Sequence, residues 1–152
     1  MRFKGINNQF VEFRIKGYEF PESLGPSHEA NWLLIDLSVK SEFEHWSVSD
    51  ASLSTVHVEE MIEWFRDVAE SDVIIPTLEL GFDEPCVEVQ CLQVKDDQAH
   101  IRIFFYSEFR PEQSDDARAY YVDLRLTSSE LTNITQELQK ELEPYPTRGF
   151  EP

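Results

Sequence analysis

The chain is poor in basic residues, glycine and cysteine, and it contains no long apolar run. Its 13 lysines and arginines face 30 aspartates and glutamates, which gives a formal net charge of −17. Nucleic acids and anionic membrane surfaces both bind to clustered positive charge, so this balance disfavours either as a partner. No apolar run approaches the ~20 residues that are needed to cross a bilayer. We therefore expect a protein without a membrane span.

The start of the chain indicates a cytoplasmic protein, and this address affects the interpretation of its two cysteines. The sequence MRFKGINNQF lacks the apolar stretch of a signal peptide, so we expect a cytoplasmic protein. Cys86 and Cys91 are five positions apart, which places them on opposite faces if the segment is one regular strand. A disulfide would then require a bend, and the cytoplasm disfavours it further. We interpret both cysteines as small buried side chains.

Sequence signatures of enzymes are also missing. The chain contains no GxSxG elbow, Walker loop, GxGxxG or HExxH motif, and its five glycines leave little material for a phosphate-binding loop. The four histidines show no metal-ligand spacing. Adjacent carboxylates at Asp83-Glu84, Asp96-Asp97 and Asp115-Asp116 are typical of solvated turns. We therefore predict no catalytic residue, no metal and no cofactor, and we expect that the protein is not an enzyme.

What the chain does contain is enough apolar material for a core. Hydrophobic residues make up 41% and aromatic residues 12% of the 152 residues, which is too apolar for a disordered acidic chain. The length fits one domain over residues 1–152. The acidic residues are spread over both halves, so the charge belongs to the whole fold and not to a tail.

Hydrophobic periodicity predicts an α+β fold. Apolar residues alternate in several segments, such as Val11–Ile15 and Leu33–Val39, and a change of parity at Gly17 indicates a bulge or bend. Residues 58–69 follow a helical period after a cap at Ser54 or Thr55. Thr127 and Glu130 form a capping box before a second helix. We predict an antiparallel β-sheet of about six to seven strands with two amphipathic helices packed on it; the alternative is a two-sheet sandwich with peripheral helices.

The first helix carries an unusual concentration of negative charge. On a wheel of 100° per residue, five carboxylates fall within an arc of about 100°. They belong to Glu59, Glu60, Glu63, Asp67 and Glu70. Like charges at positions i and i+4 each cost about 0.2–0.5 kcal/mol, and such costs are typically tolerated where function requires them.

This helix face has two interpretations. It is either a solvated face of an acidic protein or a docking surface for a basic protein, to which complementary charge would steer the partner. Trp64 lies between the acidic and apolar arcs, so it is either the edge of the core or a partly exposed anchor of the docking surface. With the docking hypothesis, the partner-binding residues are the five acidic residues and Trp64.

Several segments together resemble a known family. They are GYEFP (Gly17–Pro21), ANWLLIDLSV (Ala30–Val39), VEEMIEWF (Val58–Phe65), EFRP (Glu108–Pro111) and LQKELEPYPTR (Leu138–Arg148). In this combination the chain resembles the WapI-like family of small bacterial immunity proteins, which are usually encoded beside large secreted or wall-associated toxins. The resemblance runs from about Gly17 to Arg148 and contains no residue-level binding motif.

The resemblance implies a cytoplasmic antidote that binds the C-terminal toxin domain of a partner polypeptide and blocks its active site. Such toxin domains are often nucleases, which are basic because their substrate is anionic. Two other hypotheses stay open. The chain could be a non-catalytic adaptor or homo-oligomeric interaction domain, or a hydrolase that uses carboxylates in a deep pocket. The sequence does not distinguish a monomer from a homodimer.

Overall fold

In the computed structural model, residues 1–23, 28–70, 78–81 and 86–149 are described, and they contain two four-stranded sheets and two α-helices. The first sheet consists of β1 (Arg2–Lys4), β2 (Phe10–Tyr18), β3 (Trp32–Lys40) and β4 (His45–Ser54). The second consists of β5 (Leu78–Leu80), β6 (Val87–Lys95), β7 (Gln98–Phe105) and β8 (Tyr120–Thr127). The helices are α1 (Thr55–Glu70), between the sheets in sequence, and α2 (Ser128–Leu142), after the second sheet.

The predicted α+β class and its two amphipathic helices are confirmed. The strands, however, form two sheets and not one sheet of six or seven strands, which is the arrangement that the alternative prediction contained. Each strand pairs antiparallel with its neighbour in sequence. Helix α1 lies between β4 and β5 in the chain, and the described strands before and after it pair within their own group. Strand β1, with three residues, is too short to show a period and was not predicted.

The predicted alternation decides which side of each strand is buried. In β2, Val11, Phe13 and Ile15 are at most 5% exposed, and the register of β2 against β3 shifts between Ile15 and Gly17, which confirms the bulge. The turn between β6 and β7 is also confirmed. Asp96 and Asp97 there adopt φ angles of 54° and 62°, a left-handed conformation that aspartate tolerates better than most residues.

One continuous hydrophobic cluster includes residues of both sheets and both helices. Trp46 of β4 links the sheets: its Nε1–H donates to the carbonyl oxygen of Phe109 at 3.0 Å, inside the core. Its ring meets Phe105 and Tyr120 of the second sheet edge-on, with centroid distances of 5.7 and 5.9 Å. Edge-on contacts of this kind add stability beyond the buried area.

Both helix starts are capped by side chains. The predicted capping box of α2 is confirmed, since the Thr127 side chain accepts from the Glu130 N–H and the Glu130 carboxylate accepts from the Thr127 N–H. At α1, Ser54 takes the cap position. Its Oγ accepts from the His57 N–H at 3.4 Å, and its own N–H donates to His57 Nδ1 at 3.0 Å. Histidine thus replaces the usual glutamate in a reciprocal cap.

The cysteines are buried and free, as predicted. Cys91 lies in β6, whereas Cys86 precedes that strand, so strand alternation does not apply to the pair. Burial raises the pKa of the Cys86 thiol to about 12, which leaves almost no reactive thiolate at neutral pH.

Gly5 lies so close to β8 that any side chain would collide with it. A Cβ at this position would lie 2.7 Å from the carbonyl oxygen of Asp123 and 2.9 Å from Gln9 Cβ. We expect Gly5→Ala to lower the free energy of unfolding by about 1–3 kcal/mol, as overpacking does elsewhere. Gly17→Ala is the control, because a Cβ there meets nothing within 4 Å. Urea denaturation of both variants measures the difference, and equal stability of the two would contradict the collision.

Candidate functional site

The outward side of α1 carries all five acidic residues that the sequence singled out. Their side chains are exposed at Glu59, Glu60, Glu63, Asp67 and Glu70. The opposite side of the helix packs into the core through Val58, Met61, Ile62, Phe65 and Val68. The helical period therefore brings the five carboxylates together on one surface, as predicted. We call this surface the acidic face.

The charges of the acidic face are not neutralised within the described parts of the chain. None of the five carboxylates forms an ion pair with a residue in the described ranges. Glu59 accepts a 3.4 Å hydrogen bond from Thr147 Oγ1. The first turn of α1 holds no acidic residue and its last turn no basic one, so the helix dipole is not compensated either. The face thus presents open negative charge to any partner.

Trp64 is not the exposed anchor that the docking hypothesis placed in this surface. It is 6% exposed, and its ring meets Phe65 edge-on at a centroid distance of 5.1 Å. The Trp64 Nε1 atom is buried and has no hydrogen-bond partner among the described residues. Trp64 therefore belongs to the edge of the core, which is the other interpretation that its position on the wheel allowed. The physical reason is that apolar area on the boundary of an amphipathic helix is more favourable when it is covered.

A groove of about 740 Å³ lies between α1, α2 and the segment after α2. Its apolar lining comes from Ile62, Leu142, Tyr145 and Pro146. Its charged lining comes from Glu59, Glu63, Arg66, Lys140 and Glu143, and Gln136 and Gln139 complete it. Two residues of the acidic face, Glu59 and Glu63, thus also border the groove. Sequence analysis did not predict this groove, because it depends on how the two helices lie against each other.

The segment that follows α2, residues 143–148, is fixed by Arg148; we call it the tail segment. The Arg148 guanidinium donates to the carbonyl oxygens of Pro21 at 2.8 Å and Ala30 at 3.0 Å, and its carbon lies 3.7 Å from the centre of the Tyr18 ring. The Arg148 backbone and the Asn31 side chain exchange two further hydrogen bonds, of 2.7 and 3.0 Å. Arg148 therefore anchors the tail segment to the end of β2 and to the residues that connect β2 with β3.

The anchored tail segment forms one wall of the groove. The ring of Tyr145 meets Tyr18 at a right angle, with a centroid distance of 5.4 Å. The Thr147 hydroxyl lies 2.8 Å from that of Thr55, at the start of α1, and also reaches Glu59. Three of the segments that carried the family resemblance, around Tyr18, Ala30 and Arg148, meet at this point.

Other polar clusters offer less to a reaction or a ligand. Ser38 Oγ lies 3.2 Å from His45 Nε2, but the pair is exposed on the sheet surface. In the second sheet, Arg102 holds the largely buried Asp123 through bonds of 2.7 and 3.1 Å, and this pairing raises the pKa of Arg102. His100 Nε2 lies 3.2 Å from Asp123 Oδ1 without hydrogen-bond geometry.

The described residues, 1–23, 28–70, 78–81 and 86–149, contain neither a cluster of metal-ligand side chains nor a membrane-spanning helix. In these ranges no group of three or more histidine, cysteine, aspartate or glutamate side chains could hold a metal ion. No helix in the same ranges is long and apolar enough to cross a membrane. The predicted turn pair Asp83-Glu84 lies outside the described residues.

The fold and the surface define an acidic α+β protein of two four-stranded sheets, with an unpaired acidic face on its first helix. The chain belongs to the WapI-like immunity protein family, whose pattern matches residues 2–146. This match confirms the resemblance that the sequence segments suggested, and it extends the matched region to β1. Comparison with curated proteins and with solved structures gives no match.

Proposed function

We propose that this protein binds and neutralises a cognate toxin domain through protein–protein contact at its acidic face. Membership of an immunity protein family supports the general role. The observation that carries the proposed site is the set of five exposed carboxylates on α1 that lack ion-pair partners among the described residues.

The proposed partner is the basic, nuclease-like toxin domain of a secreted or wall-associated polypeptide, and the two proteins meet in the cytoplasm. A domain that acts on nucleic acid must attract phosphates, so its active site is positively charged. A protein of net charge −17 with a concentrated acidic helix face is complementary to such a site. Binding there would exclude the substrate without any catalytic step by the immunity protein.

Family membership favours this role over the two alternatives of an adaptor and a hydrolase. The large hydrophobic side chains that are exposed in the described ranges, Phe20, Leu34, Phe43 and Val56, come from four separate segments of the chain.

Co-expression with the toxin domain encoded beside this gene tests the proposed function. We expect the two purified proteins to form a complex and cells that make both to grow, whereas cells that make the toxin domain alone do not. A toxin domain from an unrelated gene pair is the control, and this protein is expected not to protect against it. Persistent toxicity together with the absence of a complex between the cognate proteins would refute the proposal.

A further inference from the structure

We propose that the groove between α1, α2 and the tail segment receives a lysine or arginine side chain of the toxin domain; this inference rests on the function proposed above. The acidic face is the exposed side of one helix, whereas the groove is an open depression of about 740 Å³ that residues of α1, α2 and the tail segment line together. It is therefore a place on this surface where a side chain of a partner can contact several elements at once.

The lining of the groove matches the two parts of a long basic side chain. Ile62, Leu142 and Tyr145 supply apolar surface, on which the aliphatic stem of lysine or arginine can lie. Glu59 and Glu63 from α1 and Glu143 from the tail segment place carboxylates around that surface. A stem on apolar surface with its charged end at carboxylates is the arrangement in which these side chains bind most favourably.

The groove also contains two basic residues, which oppose the binding of a cation. Arg66 and Lys140 line the groove, and neither forms an ion pair with a residue in the described ranges. They repel an entering cation, so the preference for a basic side chain comes from the three carboxylates that outnumber them. Removal of a groove carboxylate and removal of a groove cation should therefore change the affinity in opposite directions.

The first test uses a small cation on the protein alone. N-acetylarginine amide, titrated into the ¹⁵N-labelled chain, is expected to shift the amide resonances of Ile62, Glu63 and Tyr145 more than those of Glu60 and Glu70. The uncharged analogue N-acetylnorleucine amide is expected to leave them in place. Shifts spread evenly over the acidic face would overturn the inference, because they would show that the cation associates with the whole face and does not bind in the groove.

The second test fills the groove and measures toxin binding. Gln136→Trp places a large ring at an exposed groove position, and Asn133→Trp, one turn earlier on α2, is the matched control outside the lining. We expect Gln136→Trp to weaken toxin binding by about 10-fold or more and Asn133→Trp to leave it unchanged. Tight binding by Gln136→Trp would overturn the groove inference and leave the proposed function intact.

The third test uses the opposite signs. Glu63→Gln should weaken toxin binding by about 5- to 10-fold, whereas Lys140→Gln should strengthen it. If Lys140→Gln weakens binding as Glu63→Gln does, the groove holds a group other than a cation and the inference is wrong. If the unaltered chain does not bind the toxin domain, the proposed function is wrong. The inference that a basic side chain of that domain enters the groove is then wrong as well.

Discussion

Reversal of Glu59, Glu63 and Asp67 to lysine is expected to slow association with the toxin domain by about 10- to 1000-fold. Electrostatic steering between complementary surfaces raises association rates by factors of this size. The three residues are exposed on one face of α1 and unpaired within the described residues, so their charge acts on the partner directly. Stopped-flow or surface-based kinetics at several ionic strengths measures the rate, and the reversed variant should also lose most of its salt dependence.

The control must separate the acidic face from net charge. Reversal of Glu22, Glu42 and Glu112, which are exposed on other segments, changes the total charge by the same amount. We expect this variant to associate at close to the original rate. If both triple variants slow association equally, the net charge of the protein steers the partner and α1 has no special part in it.

The single variant Glu63→Lys allows binding and folding stability to be compared in one protein. It removes the like-charge pairs that Glu63 forms with Glu59 and Asp67 and replaces them with attractive pairs. The free energy of unfolding should therefore rise by on the order of 1 kcal/mol. A variant that is more stable but binds the toxin domain more slowly would show that the native charge serves binding at the expense of the fold.

Loss of the Trp46 side chain is expected to be among the most destabilising single changes in the protein. Trp46→Ala should lower the free energy of unfolding by about 3–5 kcal/mol, because it opens a cavity where the two sheets meet. Trp46→Phe should lower it by about 1–3 kcal/mol, because the buried carbonyl oxygen of Phe109 then lacks the donor that it has at 3.0 Å. Urea denaturation followed by circular dichroism measures both values.

Trp32 provides the comparison for Trp46. It is only partly buried, and its ring lies 5.9 Å from that of His57. Trp32→Phe should therefore cost less than Trp46→Phe. Equal losses at the two positions would contradict this expectation, because they would mean that neither the deeper burial of Trp46 nor its hydrogen bond to Phe109 adds to the stability.

The features that the sequence predicted correctly depend on neighbours within a few positions. The capping box at Thr127 and Glu130 is a contact across three residues, and the bulge at Gly17 is a change of parity within one strand. The acidic face follows from the helical period alone, since no tertiary contact is needed to place Glu59 and Glu63 on one side of α1. Such features can be predicted from the sequence because they depend on interactions between residues that are close together in the chain.

The features that the sequence did not predict depend on distant parts of the chain. Arg148 binds residues more than a hundred positions earlier, and no spacing in the sequence indicates that contact. The groove exists only because α2 and the tail segment lie beside α1. On the helical wheel Trp64 lies about 140° from Glu59, between the acidic and the apolar side of α1. Whether a side chain at this boundary is buried depends on which other elements pack against it. The number of sheets likewise depends on which strands pair with one another, and the periodicity of each strand does not give its partner.

The anchoring of the tail segment has a consequence for the timing of protection. The wall of the groove at Tyr145 and Pro146 is held by Arg148, which the ribosome adds after all strands and both helices. A nascent chain can thus contain every carboxylate of α1 before the tail segment has completed the groove. If the proposed recognition requires the completed groove, we expect it to begin only after these contacts have formed, so that an incompletely synthesised chain would not bind the toxin domain.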